Sequence, residues 1–338
     1  MSLTMHATDA PSRKCVTKRA LALAAALFVS GAAVPLAAAE TYPVRPVRII
    51  VPYGPGGIAD VVLRLVAQKL SEKLGQQFVI ENRPGAGGVV GIQAVVTSAP
   101  DGYTLAMIGG GLTSAKSLFK TLPYDLEKDL APISSTAYYS LVVAAKQGSP
   151  YKTVGDVVAA AKAAPGKLNF GTISPGSTQH LSAELFKSMA GITVTMIPYK
   201  TTPELVTAVI RGDIDVAFEY QAGLEGVLSD RQAIAIATTG RDRASALPDV
   251  PTVAEGGLAG YDVTSWNGLA APARTPSEIL TLLNQNINEA LSDPAIKAAS
   301  AKFGLEARGN TREEMRVRVR DDVAKWAKVI SEAGIERK

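Results

Sequence analysis

The residues of this chain best suited to chemistry gather in two turns. The first is Tyr53-Gly54-Pro55-Gly56-Gly57-Ile58-Ala59-Asp60, entered from the apolar run Ile49-Ile50-Val51 and left through Val62, Leu63, Val66, Ala67 and Leu70. The second is Ser174-Pro175-Gly176-Ser177-Thr178, entered from Leu168–Ile173 and left through Leu181, Leu185 and Met189. Each reads as a strand, a glycine-bearing turn and a helix whose apolar residues recur every three or four positions. A helix entered this way leaves its first N–H groups unpaired, and its dipole adds partial positive charge at the same place. Such an end accepts an anion without any basic side chain. Asp60 stands in the first helical turn, where it can meet a ligand ammonium or hydroxyl or hold the loop. Ser174, Ser177 and Thr178 bring hydroxyls that cap a helix or bind a ligand. Glu219 ends a strand and so falls at the carboxyl edge of a sheet, where open α/β folds bind ligands. Tyr53, Tyr199 and Trp266 are candidates for pocket wall or core.

Two enzyme readings compete with plain anion binding. Gly54-x-Gly56-x-x-Ala59 matches the Gly/Ala form of the dinucleotide fingerprint, and Glu81 follows at roughly the 20-residue distance a ribose contact requires. Against it, Pro52 and Pro55 each remove a backbone donor from the loop that would cradle a pyrophosphate. Ser174 and His180 could form a hydrolase pair. Thr172, however, stands where a Gly-x-Ser-x-Gly elbow has its first glycine, and a surface or helix-capping histidine explains His180 better. A second glycine cluster, Gly85-Ala86-Gly87-Gly88, reads as a loop into another helix and a candidate for the pocket lining.

The N-terminus speaks to compartment. Arg13, Lys14, Lys18 and Arg19 precede an apolar run from Ala20 to Val34, and Ala37-Ala38-Ala39 offers a small-x-small cleavage site before Glu40. A cleaved secretory signal fits better than an uncleaved anchor, because the run is short for a membrane span. Residues 1–39 carry four basic residues and one acidic residue, so they hold +3 of the formal charge of +4. The remaining 299 of 338 residues have no basic block, which argues against nucleic acid as a partner. Cys15, the only cysteine, leaves with the signal, and His180 is the one histidine that stays. Disulfides, thiolate nucleophiles and zinc sites built from several Cys or His are thereby excluded from the mature chain.

The elements that must hold these turns alternate. Strands are expected at Val47–Tyr53, Gln77–Glu81 and Thr104–Ile108, with helices at Ala59–Leu74 and Val89–Ser98 between them. After an irregular stretch, Tyr139–Ala145 is a strand and a second alternation runs to Thr238. Capping-box spacing marks helix starts at Thr153/Asp156 and Thr311/Glu314, and Thr275-Pro276 reads as cap and first helical position. Successive β-α-β units imply parallel sheets covered by helices.

Several runs together carry a family resemblance. Ile49-Ile50-Val51-Pro52-Tyr53-Gly54-Pro55-Gly56-Gly57 with Asp60, Glu81-Asn82-Arg83-Pro84-Gly85-Ala86-Gly87-Gly88 and Pro100-Asp101-Gly102-Tyr103-Thr104-Leu105 resemble the receptors of tripartite tricarboxylate transporters, the Bug family. The likeness continues through Leu122-Pro123-Tyr124-Asp125, Pro198-Tyr199-Lys200, Ala246-Leu247-Pro248-Asp249-Val250-Pro251-Thr252 and Ser265-Trp266. It implies an α/β, two-lobed periplasmic binding fold of type II, each lobe a mainly parallel sheet with flanking helices. By position, residues 40–141 and 266–338 would form lobe 1 and residues 142–265 lobe 2, after a signal at 1–39. The implied function is that of a periplasmic receptor, not an enzyme, with no cofactor and no metal. Such a monomer would take a small mono- or dicarboxylate between its lobes and hand it to membrane transporter subunits. Tyr53, Gly54, Pro55, Gly56, Gly57, Ile58 and Asp60 would grip from one lobe. Ser174, Gly176, Ser177 and Thr178 would grip from the other, with Tyr199 and Glu219 beside them. The chain departs from the family at Ile58-Ala59, which replace a Gly-Thr pair, at Lys116-Ser117, and at Glu219 in place of Asp.

Overall fold

The computed structural model describes residues 42–55 and 58–337, with the isolated Ser2 and Thr4 and without the side chains of Ile58, Ala59 and Val61. The signal segment, its cleavage near Ala39, and Gly56 and Gly57 lie outside the described residues.

The first half of the fold is built on β1 (Val47–Val51), β2 (Phe78–Asn82) and β3 (Thr104–Gly109). β1 lies between the other two and parallel to both, with Ile49 opposite Ile80 and Leu105. A central strand buried on both faces must be apolar throughout, and Ile49, Ile50 and Val51 are each at most 1% exposed. One face is covered by α1 (Ile58–Leu74) through Leu63, Val66 and Leu70, and by α9 (Ser277–Ser292) through Leu283 and Ile287. The other receives Ile92 and Val95 of α2 (Val89–Val96), and Met315 and Val319 of the long C-terminal helix α11 (Arg312–Glu332).

The second half repeats the plan. β5 (Asn169–Ile173) runs parallel to β6 (Thr195–Tyr199) and β7 (Val216–Tyr220). Its core centres on Phe170, Phe186 and Phe218, whose rings pack pairwise with centroids 5.6–5.8 Å apart. α6 (Thr178–Ala190) and α5 (Val154–Ala163) cover this face, while α7 (Thr202–Arg211) covers the other through Leu205 and Val209.

Two strands join the halves. β4 (Leu130–Lys146) is 17 residues long, a span of about 55 Å at strand rise. Its first part pairs antiparallel with β9 (Thr264–Pro272) and its last part with β7 and β8 (Ala233–Thr238). β9 pairs in turn with β3, also antiparallel. The sheets are therefore parallel at their outer strands and antiparallel where the chain crosses, giving a two-lobed α/β fold. α11 straddles both halves, because its later residues Trp326, Val329 and Ile330 join the core that holds Phe186. At mid-helix its buried Asp322 accepts from the indole of the fully buried Trp266 at 2.6 Å and pairs with Arg318 and Lys325.

Three local expectations are corrected. The crossing strand begins nine residues before Tyr139, across a polar run that carries no strand pattern. Ser134 and Ser135 are fully buried there because Asn310 and the carbonyl of Arg308 satisfy them. The irregular stretch holds two short helices, α3 (Gly110–Thr113) and α4 (Ala115–Leu118). Thr275 does not cap α9. Pro276 holds the cap position, and the Thr275 hydroxyl is buried without a hydrogen-bond partner.

Candidate ligand-binding site

The carboxyl ends of β1, β3, β5 and β7 meet at a cavity of about 510 Å³ against the crossing strands. β1 delivers Tyr53, the α3–α4 segment delivers Gly111, Ser114, Ala115 and Leu118, and the turn after β5 delivers Ser174 to Thr178. Tyr139 of β4, with Ser265 and Asn267 of β9, completes the lining from the crossing. The second sequence turn has the expected construction. Gly176 takes φ +84°, a left-handed geometry that suits glycine. Ser177 then caps α6, its hydroxyl accepting from the His180 backbone N–H at 3.1 Å. The two turns converge on one place. A Cβ built on Gly111 would lie 3.6 Å from the Tyr53 hydroxyl and 3.9 Å from that of Thr178.

The lining is uncharged. Among the described residues it contains no Lys, Arg, His, Asp or Glu. Burial pushes the phenols of Tyr53, Tyr139 and Tyr220 up, so they stay protonated and able to donate. An anion here is met by hydroxyls, amides and the free N–H groups of α6, within a low-dielectric wall that strengthens each contact. Asn267, 3% exposed, accepts from the Tyr139 hydroxyl at 3.2 Å, while its Nδ2 is buried without a partner.

Of the sequence candidates, Tyr53, Ser174, Gly176, Ser177 and Thr178 line the cavity. Gly54 and Pro55 are exposed beside it and are absent from its lining. Gly56, Gly57 and the Ile58 side chain lie outside the described residues. Asp60 is buried at the start of α1. It accepts from Arg64 at 2.7 and 3.1 Å and from Asn82 at 3.4 Å, which ties the helix start to the end of β2. Tyr199 ends β6, half-buried among Leu205 and Val209 and away from the lining. Glu219 stands behind the wall. Its carboxylate accepts from Gln179 at 2.9 Å, from the Tyr220 backbone N–H at 2.7 Å and from Thr202 at 2.8 Å. Gln179 then lines the cavity in its place.

Gly109, Phe119, Tyr139, Gln179, Tyr220, Ser265 and Asn267 line the cavity without having been candidates. Sequence signals existed only for the neighbourhood: strand ends for Gly109 and Tyr220, and crossing segments for Tyr139, Ser265 and Asn267. Trp266, weighed as wall or core, is core.

The hydrolase geometry is absent. His180 is buried, its Nδ1 facing the Gly176 N–H at 3.5 Å and its Nε2 facing Glu184 at 3.9 Å. Both ring nitrogens are thus turned to groups other than the Ser174 hydroxyl. A larger groove of about 770 Å³ borders the crossing strands at Tyr138–Ser140. It is rimmed by charges of both signs, among them Arg308, which pairs with Glu306.

Comparisons with known proteins speak to the family. The family model described as tripartite tricarboxylate transporter family receptor matches residues 62–335. BugT of Bordetella pertussis is 35% identical over 314 residues, covering 92% of this chain and 96% of that protein. A structure of an R. palustris protein with adipate superposes with a TM-score of 0.74 at 32% identity, covering 88% of this chain and 100% of the other. MatC from Rhodopseudomonas palustris with bound malate superposes with a TM-score of 0.69 at 28% identity, covering 86% of this chain and 100% of that one.

Proposed function

Because the chain belongs to the tripartite tricarboxylate transporter receptor family, we propose that its cavity captures a small organic acid by the carboxylate and delivers it to a membrane transporter. The observation that carries this reading is the uncharged cleft at the start of α6, where Ser174 to Thr178 from one turn face Tyr53 from the other. Backbone N–H groups and hydroxyls suit a carboxylate, and among the described residues the lining holds no nucleophile beside a base. The relatives solved with adipate and malate support the same ligand chemistry.

The lobes divide within β4 and β9, into residues 40–141 with 266–338 and residues 142–265. Closure of these lobes over the acid is the signal the transporter subunits read. The turn from Gly54 to Asp60 joins the grip when the lobes close. The protein acts as a monomer. It is exported to the periplasm and cleaved near Ala39, so the mature chain begins at Glu40, which N-terminal sequencing of a periplasmic extract checks.

A thermal-shift screen of mono- and dicarboxylates on the mature protein tests ligand class. A ligand at 100 times its Kd stabilises the folded state by about 2.7 kcal/mol. That corresponds to a rise of roughly 5 °C for a chain of this size. No rise with any carboxylate refutes the reading.

A further inference from the structure

Among the described residues two side-chain amides line the cavity, Gln179 and Asn267. Asn267 is closed to a ligand, since its Oδ1 accepts from Tyr139 and its Nδ2 is sealed by burial. Gln179 is closed at one end only. It is 8% exposed and its Nε2 donates to Glu219 at 2.9 Å, while its Oε1 accepts from no described residue and keeps accessible surface. The amide is held from turning over. A carboxylate accepts and does not donate, and Glu219 also takes the Tyr220 backbone N–H and the Thr202 hydroxyl. The Gln179 NH2 group is therefore kept toward Glu219, and its carbonyl oxygen is left to the cavity. Donation to a buried anion also polarises the amide and strengthens that oxygen as an acceptor.

The lining hydroxyls of Tyr53, Tyr220, Ser174 and Thr178 can turn to suit either a donor or an acceptor. Gln179 Oε1 can only accept. An acid that covers it without offering a hydrogen displaces its water and leaves a buried acceptor unpaired. We propose that Gln179 is a specificity-determining residue whose Oε1 accepts from an O–H or N–H group of the bound acid. The proposal rests on the carboxylate-receptor reading and specifies the class of acid within it. The Gln179 backbone N–H belongs to the first turn of α6, which meets the carboxylate in that reading. One residue thus serves both groups, which places the donor on the first or second carbon beyond the carboxylate.

Titration calorimetry of the mature protein with three series of acids tests this. They are butyrate with its 2-hydroxy, 3-hydroxy and 2-amino derivatives, succinate with malate and aspartate, and 3-phenylpropionate with phenyllactate and phenylalanine, chiral acids in both enantiomers. In the tightest-binding series a substituted acid is expected to bind about fivefold more tightly than the unsubstituted one, the size of effect of one buried hydrogen bond. A lead by the hydroxy acid assigns the donor as O–H, and a lead by the amino acid assigns it as N–H. Gln179→Leu removes the acceptor and keeps the backbone N–H, so the substituted acid loses its advantage while the unsubstituted acid keeps its affinity. An unsubstituted acid that binds as tightly as its substituted partners in that series overturns the proposal and leaves the carboxylate receptor standing. An advantage that survives in Gln179→Leu overturns it too. If that variant does not fold, the wild-type comparison decides alone. No response to any acid refutes the underlying reading instead.

Discussion

Glu219 offers the sharpest test of how the site is held. Its carboxylate is 1% exposed and collects three donors, the Gln179 amide, the Tyr220 backbone N–H and the Thr202 hydroxyl. In Glu219→Ala all three lose their acceptor at once. An unsatisfied buried donor costs about 1–3 kcal/mol, and water entering the space left by the side chain recovers part of it. The net loss is therefore taken as about 3 kcal/mol. For a chain of this size that lowers Tm by roughly 6 °C. The same change frees Gln179, which lines the cavity, so the thermal response to the best carboxylate falls as well. Glu219→Gln keeps the shape and one accepting oxygen but turns an amide N–H toward donors, so it falls between the two. Thermal melts with and without ligand read both effects. Glu219→Ala melting within about 1 °C of wild type, with ligand response intact, would refute the idea that this carboxylate organises the wall.

Three further predictions follow from single positions. Gly176→Ala adds a Cβ at φ +84° and 2.8 Å from a Leu118 methyl, so it costs about 1–3 kcal/mol and weakens carboxylate binding, read by urea melts and calorimetry. Asp322→Ala strands the Trp266 indole N–H and two cations and lowers the urea midpoint by the equivalent of about 3 kcal/mol, whereas Asp322→Asn keeps part of it. Burial, opposed by Glu184, holds the His180 pKa below the ordinary 6.5. As pH falls through 6.5 the unfolded chain takes a proton that the folded chain refuses, so stability drops. His180→Gln should flatten that drop in urea midpoints between pH 7.5 and 5.5, and an identical slope in both proteins counts against it.

Much of this protein is legible from its residues because much of it depends on neighbours a few positions apart. The helical spacing after Asp60, the Thr153/Asp156 and Thr311/Glu314 capping boxes and the Gly176 turn are all settled within a turn of chain, and the structure keeps each of them. The anion-ready start of α6 belongs to the same class, as does the strand-turn-helix frame around Tyr53. Tertiary structure decides what pairing across the chain decides. Ser134 and Ser135 become a buried strand only because residues 308–310 return to satisfy them. Glu219 looks like a ligand contact until Gln179 is seen between it and the cavity. Asn267 reaches the cavity through the register of β9 on β4, which sets it opposite Ala137 and within reach of Tyr139. The sequence by itself pointed to two helix starts suited to an anion, and of these the start of α6 lines the cavity. Only the long-range pairing of the crossing strands decided which uncharged side chains surround that anion, because burial and hydrogen-bond partners are properties of residues that meet from opposite ends of the chain.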